Sequence, residues 1–187
     1  MSIKIIPVFL SMALLLASPS QAQDADAVLG HWFTEDNLSI VHLVKEENKY
    51  VGRIVWLEEP RYEEGDEDEG KLRFDRENKK KKLRKRPIIG LPFMHGFVYD
   101  GKDEKWRGGT IYDPEVGKYY KCEMKILLKE GTDDTYVLGV HGYIGIPTFG
   151  RTTSWNRVPK EDLKNYEFPN EDEIGKVDAG KKSRKDE

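Results

Sequence analysis

The chain has 187 residues, 35% charged and 37% hydrophobic, with 4 Trp, 9 Tyr and 7 Phe. That length suits one folded domain, and the aromatic content excludes a chain disordered throughout. With 31 basic and 34 acidic residues the formal net charge is -3, which excludes a globally basic nucleic-acid binder.

The chain opens with Lys4, an apolar run from Ile5 to Ala17, and then Ser18-Pro19-Ser20-Gln21-Ala22. The run is too short to span a bilayer, which takes about 20 residues. Small residues at Ser20 and Ala22 fit the positions a signal peptidase reads. Residues 1–22 are therefore expected to be a secretory signal peptide, cleaved after Ala22. The product is expected in the periplasm or outside the cell, with no transmembrane segment. Losing Lys4 makes its net charge -4, from 30 basic and 34 acidic residues. Cys122 is the only cysteine, so no internal disulfide and no cysteine metal set can form.

Period-two alternation dominates from Gly30 onward, and turn residues punctuate it. Eight strands are expected, at about 30–34, 38–45, 50–57, 88–99, 105–112, 118–129, 136–143 and 149–158. The sixth alternates most regularly, with Tyr120, Cys122, Met124, Ile126 and Leu128 on one face. Glu35-Asp36-Asn37, Glu46-Glu47-Asn48, Asp100-Gly101-Lys102-Asp103 and Asp113-Pro114-Glu115-Val116-Gly117 supply short turns. Short connections favour antiparallel neighbours, and closing the sheet removes its edges. The expected fold is all-β: an eight-stranded antiparallel up-and-down barrel over 23–158. A two-sheet sandwich is the alternative. It needs longer crossovers than these turns provide.

Two segments break the pattern. Residues 58–86 form a long charged loop, of which Glu58 to Lys82 is expected to be mobile, with Tyr62, Leu72 and Phe74 as its few apolar anchors. Residues 159–187 read as a polar C-terminal tail, disordered from Gly175.

Gly30-His31-Trp32 on the first strand and Arg157 at the end of the last resemble the G-x-W and arginine pair of lipocalins. That resemblance implies that Arg157 stacks on Trp32 and seals one end, with Gly30, Trp32 and Arg157 as structural residues. A longer series is more specific. Arg86-Pro87-Ile88-Ile89-Gly90, Trp106-Arg107-Gly108-Gly109-Thr110-Ile111-Tyr112-Asp113-Pro114, Gly142-Tyr143-Ile144-Gly145, Phe149-Gly150-Arg151-Thr152 and Trp155 follow in that order. The chain resembles the DUF2147 family of bacterial exported proteins over about residues 30–158. What this implies is a lipocalin-like, calycin-type barrel in the periplasm; it implies no biochemical activity.

The function expected is binding of a small apolar or amphipathic ligand in the barrel. The alternative is an envelope interaction protein whose barrel is filled and whose charged loop meets a partner or polyanion. An up-and-down order puts Tyr112, Tyr143 and Phe149 at one end, opposite Trp32 and Arg157. The expected ligand residues are Trp106, Tyr112, Tyr143, Phe149 and Arg151, with Trp106 reaching in from below. Arg151 either binds an anionic group of the guest or pairs with a nearby carboxylate. Gly108-Gly109 either lets the strand coil or leaves room for a ligand.

No catalytic set stands out, so no enzyme and no cofactor are expected. His31, His42, His95 and His141 lack metal-ligand spacing, although His42 and His141 sit in strands that could bring them together across a barrel. Asp66-Glu67-Asp68-Glu69 resembles a calcium loop but puts Gly70 fifth and Lys71 sixth, outside the EF-hand pattern. The run Lys79, Lys80, Lys81, Lys82, Arg84, Lys85 and Arg86 suits weak contact with an anionic surface. It also suits internal pairing with the acidic stretch from Glu58 to Glu69. Nucleic acid is not expected as a partner.

Overall fold

A computed structural model describes residues 24–128 and 136–168. The expected signal peptide and the expected disorder beyond Gly175 lie outside the described residues.

The strands are β1 (Gly30–Phe33), β2 (Ser39–Glu46), β3 (Lys49–Leu57), β4 (Pro92–Asp100), β5 (Lys105–Asp113), β6 (Lys118–Leu128), β7 (Tyr136–Tyr143) and β8 (Arg151–Arg157). They form a closed barrel in sequence order. Every neighbouring pair is antiparallel, and β1 closes on β8 through Trp32↔Arg157 and Phe33↔Asn156. The fold is the expected all-β, up-and-down barrel, not the sandwich. Closure satisfies every strand edge.

The strand directions define two ends. At one end lie residue 30, the turns after β2 and β4, and residue 157. At the other lie the β1–β2 turn, residues 58–91, the β5–β6 turn and the β7–β8 loop. The first end is filled. Trp32, Val41, Leu43, Tyr50, Phe97 and Trp106 are all buried there. A 3-10 turn, Ala25–Val28, plugs it: Trp32 Nε1 donates to Val28 O at 2.8 Å and Trp106 Nε1 to Ala25 O at 3.0 Å. These bonds satisfy both indole donors that burial would otherwise orphan.

The segment 58–86 is packed rather than mobile. It folds back over the second end through antiparallel bridges Arg61↔Leu72 and Phe74↔Pro87. Tyr62 is buried, and Arg76 lies 4.4 Å from its ring centroid. The anchors are polar as well as apolar, which is why composition understates them. Asp75 is 0% exposed and Asn78 is buried beside it. The acidic stretch pairs within the loop, but with Lys71, Arg73 and Arg76 rather than with the basic run.

Two boundaries shift. β4 starts at Pro92, because residues 88–91 complete the packed loop and Ile88 is buried under it. Before β8 the chain makes a 3-10 turn, Pro147–Phe149. Pro suits the first position of such a turn and has no N–H to give a strand ladder.

The segment expected as a tail from 159 begins as packed structure. A 3-10 turn, Lys160–Asn165, leads to Tyr166 and Phe168. Leu163, Tyr166 and Phe168 cover Ile40, Val55 and Val158 on the outer face of the barrel. Residues 169–187 lie outside the described residues.

Candidate functional site

The second end opens into a cavity of about 820 Å³. Its deeper wall is apolar, with Ile54, Phe93, Ile111, Val140 and Trp155. Phe93 and Trp155 stack nearly parallel, with centroids 6.4 Å apart. Odd-numbered residues of β8 face inward: Thr153 and Trp155 line the cavity, and Arg157 points into the closed end. Trp155 Nε1 donates to Thr153 Oγ1 at 3.0 Å, so the indole is fixed by its own strand. From the packed loop, Tyr62, Phe74 and Ile88 roof the cavity.

The rim is charged, but its cations are occupied. Arg151 pairs with Glu35 at 2.9 Å, Arg76 with Asp66 at 3.0 Å, and Arg73 with Glu59 at 3.3 Å. Arg151 is 81% exposed at its side chain, so its charge is spread into solvent rather than aimed inward. Asp36, Glu77, Asp113 and Glu115 also line the rim. The rim therefore offers no anion trap, and the apolar wall is the selective feature.

A buried polar latch ties the roof to the barrel. Tyr112 Oη donates to Asp75 Oδ1 at 2.6 Å, and Asn78 Nδ2 donates to Asp75 Oδ2 at 2.7 Å. Arg86 Nε and Nη2 reach Asp75 Oδ2 at 2.8 and 2.7 Å. Burial, then the bond to Asp75, pushes the Tyr112 hydroxyl well above its ordinary titration range. The β5–β6 turn meets the same segment, since Gly117, at φ +62°, lies directly against the Glu77 carbonyl, where a Cβ would collide. Only glycine combines that backbone angle with that approach.

The five expected ligand residues separate. Tyr112 and Arg151 line the cavity. Trp106 does not: it lies in the plug at the opposite end, 5.0 Å from Tyr99 and 6.2 Å from Tyr50 by ring centroids. Tyr143 follows inward-facing Gly142, so the pleat turns it outward against His141, 5.6 Å away. Phe149 is 81% exposed on the 3-10 turn. Gly108-Gly109 makes no room for a ligand, because the Phe97 ring occupies the space over Gly109.

At the closed end, Arg157 lies over Trp32, and Gly30 is where the guanidinium passes: a Cβ there would be 2.9 Å from Nη1. His42 and His141 do not meet across the barrel. Both face outward, His42 stacked on His31 at 4.0 Å and His141 bonded to Thr152 Oγ1 at 2.8 Å. Asp66 and Asp68 of the acidic loop are engaged by Arg76 and Lys71. Among the described residues no group of three or more His, Cys, Asp or Glu is placed to hold a metal. Burial pushes the Cys122 thiol up to about 12, so it is a core residue and no nucleophile at neutral pH.

Ile54, Phe93 and Val140 escaped the sequence reading. Inward phase on alternating strands could have found them, had it been applied strand by strand.

No curated protein matches the chain. Among solved structures, a protein of the human pathogen Helicobacter pylori, HP1028, described as belonging to the lipocalin family, is similar with a TM-score of 0.62 and 24% identity. The match covers 80% of this chain and 96% of that one, and it shows a shared fold. The family model described as an uncharacterized protein conserved in bacteria, DUF2147, matches residues 30–157, and the chain belongs to that family.

Proposed function

We propose that this protein binds one small apolar or amphipathic molecule in the barrel cavity, and that it does so as an exported, non-enzymatic carrier. The observation that carries the reading is the open cavity of about 820 Å³ with an apolar wall. That volume falls within the usual range for small-molecule sites, roughly 300–1,000 Å³. Apolar atoms of a guest would bury against Ile54, Phe93, Val140 and Trp155, at about 25 cal/mol per Å². Its polar end would remain at the rim, among Thr34, Ser39 and the paired charges. The rival reading, an interaction protein with a filled barrel, fits the closed end alone.

Export is proposed from the N-terminal sequence, with the charged outer surface in the periplasm or beyond. A non-enzymatic role is proposed from the chemistry of the deeper cavity wall, which is apolar at Ile54, Phe93, Ile111, Val140 and Trp155.

The test is native mass spectrometry of the isolated protein, followed by titration with cis-parinaric acid and with a lysophospholipid. The expected result is saturable binding with quenching of Trp155, weakened at least tenfold by Val140→Trp, which puts an indole into the apolar part of the cavity. No co-purified guest and no saturable binding of either probe would overturn the proposal.

A further inference from the structure

The mouth end carries a second feature that cavity binding does not use. Lys79, Lys80, Lys81, Lys82 and Lys85 are all exposed. None forms an ion pair among the described residues; in the loop's acidic half Glu59, Glu63, Asp66 and Asp68 pair with Lys71, Arg73 and Arg76 instead. The base of this basic run is rigid. Arg86 is fixed to buried Asp75, and Arg84 Nε donates to Asn78 O at 2.7 Å. The free charges are therefore presented on a fixed 3-10 turn, Lys81–Leu83.

Exposed apolar side chains stand on the neighbouring loops of the same end. Ile144, Ile146 and Phe149, on the β7–β8 loop, are 70%, 56% and 81% exposed. Val116 and Tyr119, at the β5–β6 turn, are exposed too. The topology makes these loops adjacent. The basic run follows Asn78, which bonds Tyr112, and the Tyr112 ring lies 4.6 Å from Tyr119 by centroids. β6 then pairs with β7 through Lys121↔Tyr143, immediately before Ile144. Lys118 and Lys121 add exposed cations between the two groups.

We propose that this end of the barrel docks on an anionic lipid bilayer, with the lysines at the headgroups and Phe149, Ile146 and Ile144 inserted into the interface. Charge complementarity decides the occupant. Four or more clustered lysines beside apolar side chains suit an anionic leaflet, which attracts each of them. Lysine is depleted in protein–protein interfaces, which also favour continuous packed area over separate loop tips. A fluid interface accepts separate tips, and aromatic side chains are at home in it. Exposed acids of the same end, Glu58, Glu64, Glu67, Glu69, Glu77 and Glu115, oppose the attraction, so the lysine cluster acts locally and apolar insertion has to accompany it. Docking in this pose faces the cavity mouth toward the membrane. It stands whether or not the cavity holds a guest.

The experiment is sedimentation of the protein, isolated from cells expressing the full chain, with vesicles of phosphatidylglycerol and phosphatidylcholine and with vesicles of phosphatidylcholine alone. Partition is expected onto the anionic vesicles only, and it should weaken as salt rises. Lys79→Gln, Lys80→Gln, Lys81→Gln and Lys82→Gln together should lower it at least tenfold. Phe149→Ser with Ile146→Ser should lower it several-fold. All six positions are exposed, so both variants should keep the parent melting temperature. Val140→Trp, which puts an indole into the apolar part of the cavity, should leave partition unchanged and so separates docking from guest binding. No partition onto anionic vesicles, or undiminished partition of the lysine variant, overturns the proposal.

Discussion

The Arg157 guanidinium lies 4.1 Å from the centroid of the Trp32 ring, and the same group donates to Leu29 O at 2.8 Å and Ala27 O at 2.5 Å. One side chain thus joins the last strand, the first strand and the plugging turn. The residue keeps solvent contact, and partial desolvation of the guanidinium against the ring and the plugging turn pulls it below its ordinary value. Replacing Arg157 by Ala should cost about 2–4 kcal/mol, from lost charge-assisted hydrogen bonds and cation-π stacking. Chemical denaturation measures it. Fatty-acid affinity, read well below the melting point, should hold, because the cavity is at the other end. A variant as stable as the parent would remove the closed-end role.

The latch predicts a different pattern. Asp75→Ala leaves Arg86 and the Tyr112 hydroxyl without their shared acceptor, and breaking such a buried pair costs about 3–5 kcal/mol. Tyr112→Phe removes one bond and should cost about 1–2 kcal/mol. Limited proteolysis is the direct readout: cleavage between residues 58 and 86 should accelerate in Asp75→Ala before the barrel unfolds. Unchanged cleavage in both variants would show that the roof is held by its apolar contacts alone.

The eight strands were legible because alternation and turn residues are local signals, and β6 displays both. The Trp32–Arg157 pair was legible through the lipocalin resemblance. The site was legible only in part. Tyr143 was placed by its position along β7, whereas the pleat, set by Leu138 and Val140 facing inward, sends it outward. Alternation through Phe149 reads as strand, although Pro147 takes the chain out of the ladder first. The roof was misread for another reason. Asp75 finds Tyr112 across 37 residues, and such a bond leaves no trace in local composition.

On the outer face, His31 and His42 stack at 4.0 Å with an interplanar angle of 6°, and Phe168 lies 5.1 Å from His31. Arg53, paired with Glu46 at 2.8 Å, sits opposite His42 in the ladder. Burial, then the charge of His42, lowers His31 from its ordinary 6.5 to about 4. His42 is lowered too, by burial and by Arg53. Above pH 6.5 both folded and unfolded chains hold His31 neutral, and no penalty arises. As pH falls toward 4 the unfolded chain takes up a proton that the folded ring refuses, so stability declines through that window. The loss should be on the order of 1–2 kcal/mol for His31, after solvent screening is allowed for. Melting temperatures measured from pH 7 to pH 4 should fall less steeply in His31→Gln than in the parent. Parallel slopes would place the acid sensitivity elsewhere.

Gly109 separates coiling from cavity formation as the reason for the glycine pair in β5. A Cβ on Gly109 would collide with Cδ1 and Cε1 of Phe97, while a Cβ on Gly108 would meet nothing within 4 Å. Gly108 instead carries a φ of +74°, and a ladder irregularity falls between Trp106 and Gly109. The two glycines therefore serve different needs: Gly108 bends the strand, and Gly109 receives a ring. Alanine at 108 should cost about 1–2 kcal/mol through backbone strain, whatever stands at 97. Alanine at 109 should cost about 1–3 kcal/mol through overpacking, and that cost should shrink when Phe97 becomes Leu. The two double-mutant cycles distinguish the mechanisms: coupling of Phe97 to Gly109 but not to Gly108 is the expected result. Coupling to neither would mean that the barrel wall yields at this point and the ring can move aside.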